Sequence, residues 1–193
     1  MKKSLVTGSL IAVIIAAVAF NLPGQENVPS AKESSAQKEG KRNAGQKPRK
    51  AAVKRTREVV KALDDIYKRT IVLITDKYVH DTDDFAAGSA AVLLFKQIST
   101  SEFQDVRLID ATGEPYEDAN VAKSEFEKQG LKALKDGKSY YEKVAMKDGK
   151  PYLQALTPVP VVLDKCIMCH PHYEDAKKNN EIIGAISYEL PIK

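Results

Sequence analysis

Cysteine is nearly absent from this chain. There are two in 193 residues, Cys166 and Cys169, and there is no tryptophan. Histidine is almost as scarce, with His80, His170 and His172 the full set. These shortages exclude several chemistries. No Cys follows the apolar N-terminal run, so lipoprotein processing is excluded. A structural zinc ion takes a closed tetrahedral ligand set, and Cys166 and Cys169 have no second ligand pair to complete one. The chain has no Ser/His/Asp order, no glycine-rich phosphate loop and no carboxylate pair with a reason to be catalytic, so it reads as a non-enzyme. Asp81-Thr82-Asp83-Asp84 lacks the later Gly and Glu of a calcium loop, and helix capping is its better explanation. There are no internal repeats.

What charge there is, is unevenly spread. The net charge is +4, but residues 1–20 carry two Lys and no acid, and residues 21–57 carry ten Lys/Arg against three Glu. Residues 58–193 carry eighteen Lys/Arg against twenty-three Asp/Glu, so the body of the chain is acidic. An acidic domain argues against nucleic acid as a partner.

Three segments follow from composition. Residues 1–22 form a basic start and a largely apolar run, an export signal that also serves as a membrane anchor if it is not cut after Ala19. Export places the protein in the periplasm. Residues 23–50 contain one aliphatic larger than Ala, Val28, and read as a disordered basic linker. Residues 51–193 read as one folded domain, whose oligomeric state the sequence leaves open.

Within that domain, Val53, Val60, Leu63, Tyr67, Ile71, Ile74 and Tyr78 recur at helical spacing and predict one long helix to about Val79. A second helix is predicted from the acidic cap at 81–84 through Ile98. A strand is predicted over 106–110 and an amphipathic helix over 122–135, with Phe126, Leu131 and Leu134 inward. Strands over 139–146 and 151–159 are joined at Lys147-Asp148-Gly149-Lys150, a hairpin signal. A last strand is predicted over 182–192. The order predicts an α+β fold, an antiparallel sheet with helices to one side.

Both cysteines fall in Cys166-Ile167-Met168-Cys169-His170, the C-x-x-C-H attachment signature of a c-type haem. Each thiol adds to one porphyrin vinyl group, and the adjacent His170 supplies the proximal imidazole to the iron. The expectation is one covalent haem c. The extended Pro158-Val159-Pro160 carries the chain toward it.

The sixth iron ligand is left open between His80, Met146 and no protein ligand at all. His80 is the remaining free-standing imidazole, and from the junction of the first two helices it is the candidate distal ligand. His172 is too closely tethered beyond Pro171 to swing to the opposite face, and is read as a surface or propionate-contacting residue. Met168 is held by its haem-bonded neighbours. Tyr78, Tyr116, Tyr140, Tyr141, Tyr152, Tyr173 and Tyr188 are read as sheet packing, with some walling the haem pocket.

The sequence resembles the PAS-like c-type haem domains of periplasmic sensors. The resemblance runs over residues 55–193. It is carried by Arg107-Leu108-Ile109-Asp110 with Gly113 and Pro115, Phe126-Glu127 and Gly137-Lys138-Ser139-Tyr140-Tyr141. Thr157-Pro158-Val159-Pro160, Cys166 to His170 and Ile183-Gly184-Ala185-Ile186-Ser187 before Pro191 complete it. It implies a PAS-like sheet and a redox or gas sensing module, with a diatomic gas or a redox protein as partner. A periplasmic electron-transfer cytochrome is the alternative. The chain departs from the sensors in holding no kinase or methyl-accepting segment and no third Cys, which excludes the thiolate sixth ligand some relatives use.

Overall fold

The computed structural model describes residues 46–82, 84–100 and 104–193. They belong to one compact unit, residues 42–193. The export run and most of the linker lie outside the described residues. No helix among the described residues is long and apolar enough to cross a membrane.

Helix α1 spans Lys50–Tyr78. Ala52, Thr56, Val60, Tyr67 and Thr75 are buried along it, with Leu63 and Ile71 partly buried between them. Steps of three and four residues keep these on one face. Thr56 and Thr75 donate their hydroxyls to the carbonyls of Ala52 and Ile71, so both are satisfied inside the helix. The β-branched run at 70–75 is helical, as its continued periodicity predicts.

Helix α2 spans Ala87–Ile98 and is capped by Ala86 without a side-chain bond. This corrects the expectation that the acidic run caps it. Instead the Asp84 carboxylate accepts from the backbone N–H groups of His80 (2.6 Å) and Asp81 (3.2 Å). Aspartate competes for nearby backbone donors in this way and holds turns as readily as it starts helices. Those two bonds also hold Asp84 below the usual carboxylate range.

The sheet has the order β1-β4-β3-β2, antiparallel throughout. Its strands are β1 (Asp105–Asp110), β2 (Tyr141–Lys147), β3 (Lys150–Pro160) and β4 (Ile182–Pro191). The hairpin β2–β3 turns at Asp148 (φ 51°) and Gly149 (φ 73°), so both central residues are left-handed, as the tightest hairpin turn requires. Pro158 and Pro160, at the far end of β3, are tolerated for a positional reason. Strand β2 ends its pairing at Tyr141 opposite Leu156, so Pro158 and Pro160 meet only β4 and no ladder bond is lost on the other side.

Alternation along the strands divides the core in two. Val106, Leu153, Ala155, Ile186, Tyr188 and Leu190 pack with Val60, Tyr67 and Phe95 of α1 and α2. Ile109, Leu156 and Ala185 pack with Phe126 and Leu134 of α3, Glu125–Lys135. Helices therefore cover both faces of the sheet rather than one, while the α+β class stands. Two short helices, α4 (Lys165–Cys169) and α5 (Tyr173–Asn179), fill the stretch between β3 and β4. The sequence pattern marks no helix there.

Candidate functional site

Cys166 and Cys169 both lie on α4, one turn apart, which puts them on the same side of the helix. His170 is the residue that ends α4, and its N–H donates to the Cys166 carbonyl at 3.1 Å. All three are half-buried, and the two thiols are not joined in a disulfide. The spacing of C-x-x-C-H thus becomes one helical turn with an imidazole at its end.

Two anchors fix α4. The Lys165 ammonium donates to the carbonyls of Asp76 (2.7 Å) and Val79 (2.6 Å) at the end of α1. These are helix-end carbonyls, which lack intrahelical partners and favour a cation. Lys177 of α5 pairs with Asp164, the residue that precedes α4. Helix α5 then stops at Asn180 in the left-handed conformation (φ 56°), a favoured C-terminal stop.

Cys166, Cys169 and His170 line a cavity of about 540 Å³. Its walls come from α1 (Lys68, Ile71, Val72, Thr75), the start of α2, the end of β1, the Pro115–Glu117 loop, Pro158–Pro160 and β4 at Gly184 and Ile186. Most of that lining is apolar. The His170 ring stacks on Tyr173, with centroids 4.7 Å apart and planes 26° from parallel, and meets the edge of Tyr116 at 5.9 Å. Burial, with a smaller contribution from His172, holds the His170 imidazole below its ordinary value. The neutral ring, the form that ligates metals, is favoured. Burial also raises the Tyr173 phenol, with Asp110 adding to it.

Gly184 is needed at the rim. A Cβ there would stand 2.9 Å from the Ile109 carbonyl oxygen across the β1–β4 pair.

The other sequence candidates are elsewhere. His80 is exposed and does not line the cavity. Met146 is 46% exposed on β2 and does not line it either. His172 is exposed, edge-on to both His170 and Tyr173. Tyr116 and Tyr173 do wall the cavity, whereas Tyr188 is core. Sequence reasoning missed Lys68 and Lys165, which nothing local distinguishes, and named Gly184 only as part of the resemblance, without a role at the cavity.

The residues fit a covalently held porphyrin. The cavity volume is of the size used for cofactors, its walls are mostly apolar, and two thiols and an imidazole stand on one wall. A tetrahedral metal ion fits less well. Among the described residues, no group of three or more His, Cys, Asp and Glu converges closely enough to hold one.

Fold and site together define an α+β domain in which a C-x-x-C-H helix opens onto an apolar cavity. The model of the Tll0287-like family matches residues 33–191, and the chain belongs to that family. The crystal structure of the cyanobacterial heme-protein Tll0287 is similar, with 11% sequence identity, a TM-score of 0.49, and coverage of 72% of this chain and 95% of that one. No curated protein matches the chain.

Proposed function

We propose that the chain is an exported haem protein, holding one haem c through thioethers to Cys166 and Cys169 with His170 on the iron, and that it works as a redox or gas sensing module. The observation that carries the reading is the C-x-x-C-H turn on the wall of an apolar cavity of about 540 Å³. The haem supplies an iron that changes redox state and takes small ligands. The protein orients His170 by stacking it on Tyr173, and burial disfavours a second proton on its ring.

Sensing over plain electron carriage is supported by the sixth position. Neither His80 nor Met146 lines the cavity, so the reading leaves that position to water or a diatomic gas. No catalytic role is assigned. The site is periplasmic in this reading, with residues 1–22 as signal or anchor and 23–50 as tether.

Electron transfer is the second reading, favoured by one observation. The attachment helix is half-exposed, with Met168 at 37%, so the cofactor edge is reachable by a redox partner protein.

The test of haem c is acid-acetone extraction of protein made with a cytochrome c maturation system, followed by a pyridine haemochrome spectrum. The haem is expected to stay with the protein and to show the band of two saturated vinyl groups. Haem that extracts, or its absence, overturns the reading. The ferric spectrum is expected to be high-spin and unchanged in His80→Ala. A low-spin wild type that turns high-spin in that variant restores His80 as the ligand.

A further inference from the structure

The cavity has two lysines on its wall, Lys68 and Lys165. Lys165 is committed to two carbonyls at the end of α1. Lys68 is different. Its ammonium has three donors, and among the described residues its one hydrogen bond is to Asp64 Oδ2, at 2.9 Å.

That bond is more than an exposed pair along a helix. The other oxygen, Asp64 Oδ1, accepts from the Thr157 hydroxyl at 2.6 Å and the Tyr188 hydroxyl at 2.9 Å. Thr157 is 4% and Tyr188 1% exposed. A carboxylate clamped by two buried hydroxyls cannot swing freely, so it fixes where the lysine stands. The two hydroxyls satisfy Asp64 Oδ1 from inside the core, which makes the clamp firm and leaves Lys68 with donors to spare.

The placement along α1 also matters. Helix α4 is moored at Asp76 and Val79. Lys68 lies eight and eleven residues earlier, about 12–16 Å along the helix axis. In a haem, the vinyl groups and the propionates occupy opposite edges of the ring. Thioethers at Cys166 and Cys169 would hold the vinyl edge at α4 and leave the propionate edge facing away from that mooring.

We propose that Lys68 anchors a propionate of the cofactor, with Asp64, Thr157 and Tyr188 as the clamp that positions it. This rests on the haem reading above. The ammonium offsets a propionate charge and thereby favours the ferrous iron, which carries one positive charge fewer.

The test compares wild-type holoprotein with Lys68→Gln and Lys68→Arg. Covalent haem content is measured first by pyridine haemochrome, which reports on the haem reading alone. Redox potentiometry and the low-frequency propionate modes of the resonance Raman spectrum report on Lys68. In Lys68→Gln the midpoint potential is expected to fall and the propionate mode to shift. In Lys68→Arg the potential is expected to stay near wild type, while the mode shifts because a guanidinium replaces the ammonium. If Lys68→Gln does not fold, a shifted mode in Lys68→Arg supports the proposal and an unchanged one overturns it. Unchanged potential and mode in Lys68→Gln overturn it with the haem reading intact. A wild-type low-spin spectrum that turns high-spin in Lys68→Gln puts the amine on the iron and also overturns it.

Discussion

Asp64 links α1 to the sheet through single atoms. Its carboxylate takes two hydroxyl donors that are otherwise sealed in the core and holds the Lys68 ammonium. Removing it strands Thr157 and Tyr188, and an unpaired buried polar group costs about 1–3 kcal/mol. Asp64→Ala is therefore expected to lose about 3 kcal/mol in urea denaturation, far more than Asp65→Ala, whose carboxylate pairs with Arg69 at the surface. Tyr188 adds a pH dependence. Burial, then the Asp64 charge, pushes its phenol well above the ordinary value of 10.0. The folded protein thus keeps a proton that the unfolded chain releases. Stability from this residue is complete below about pH 10 and declines as pH rises beyond it, because the unfolded phenol ionises there first. Denaturation midpoints measured at increasing pH are expected to drop above that point, with a shallower decline in Tyr188→Phe. None of this was legible in the sequence. Asp64 is one acid among twenty-six in the chain, and its partners are 93 and 124 residues away.

The elements were legible where their own pattern is long. Helix α1 shows its period over eight turns. Asp148-Gly149 announces the hairpin because few other residues accept two left-handed positions. Helices α4 and α5 were not legible, since five and seven residues hold too little periodicity to separate from loop. The attachment motif was found by its spacing alone, while the cavity it faces was not, because Lys68, Leu108, Pro158 and Gly184 meet only after the sheet forms. Helix α3 is a case where the sequence nearly says enough. Ser124 accepts from the Glu127 N–H at 3.1 Å, and the Glu127 carboxylate accepts from the N–H groups of Ser124 and Lys123, a capping box. Ser124→Ala is expected to cost about 1 kcal/mol. At the cavity rim, Gly184→Ala is expected to cost about 1–3 kcal/mol, because the new methyl meets a backbone oxygen that cannot rotate away. Thermal unfolding with and without bound cofactor checks it, and the loss is expected in both forms.

At the scale of the whole domain, the site and the long helix are joined through Lys165. The same short helix that carries Cys166 and Cys169 begins with the lysine that closes the last turn of α1. A displacement of α4 by a fraction of an ångström changes two hydrogen bonds at the end of a 29-residue helix. Those bonds are made to otherwise unpaired carbonyls, so their loss frays the last turn of α1 rather than the core. This gives the sensing reading a measurable consequence that an electron carrier lacks, since a carrier works best with little rearrangement. Amide hydrogen exchange at residues 75–79 is expected to differ between the ferric and ferrous proteins, and again on carbon monoxide binding, while exchange in β3 and β4 stays constant. Lys165→Met removes the tie but keeps most of the side chain's unbranched length. In that variant the same amides are expected to exchange fast in every state, with covalent haem content unchanged. Identical exchange at 75–79 in all states of the wild type returns the domain to the electron-transfer reading.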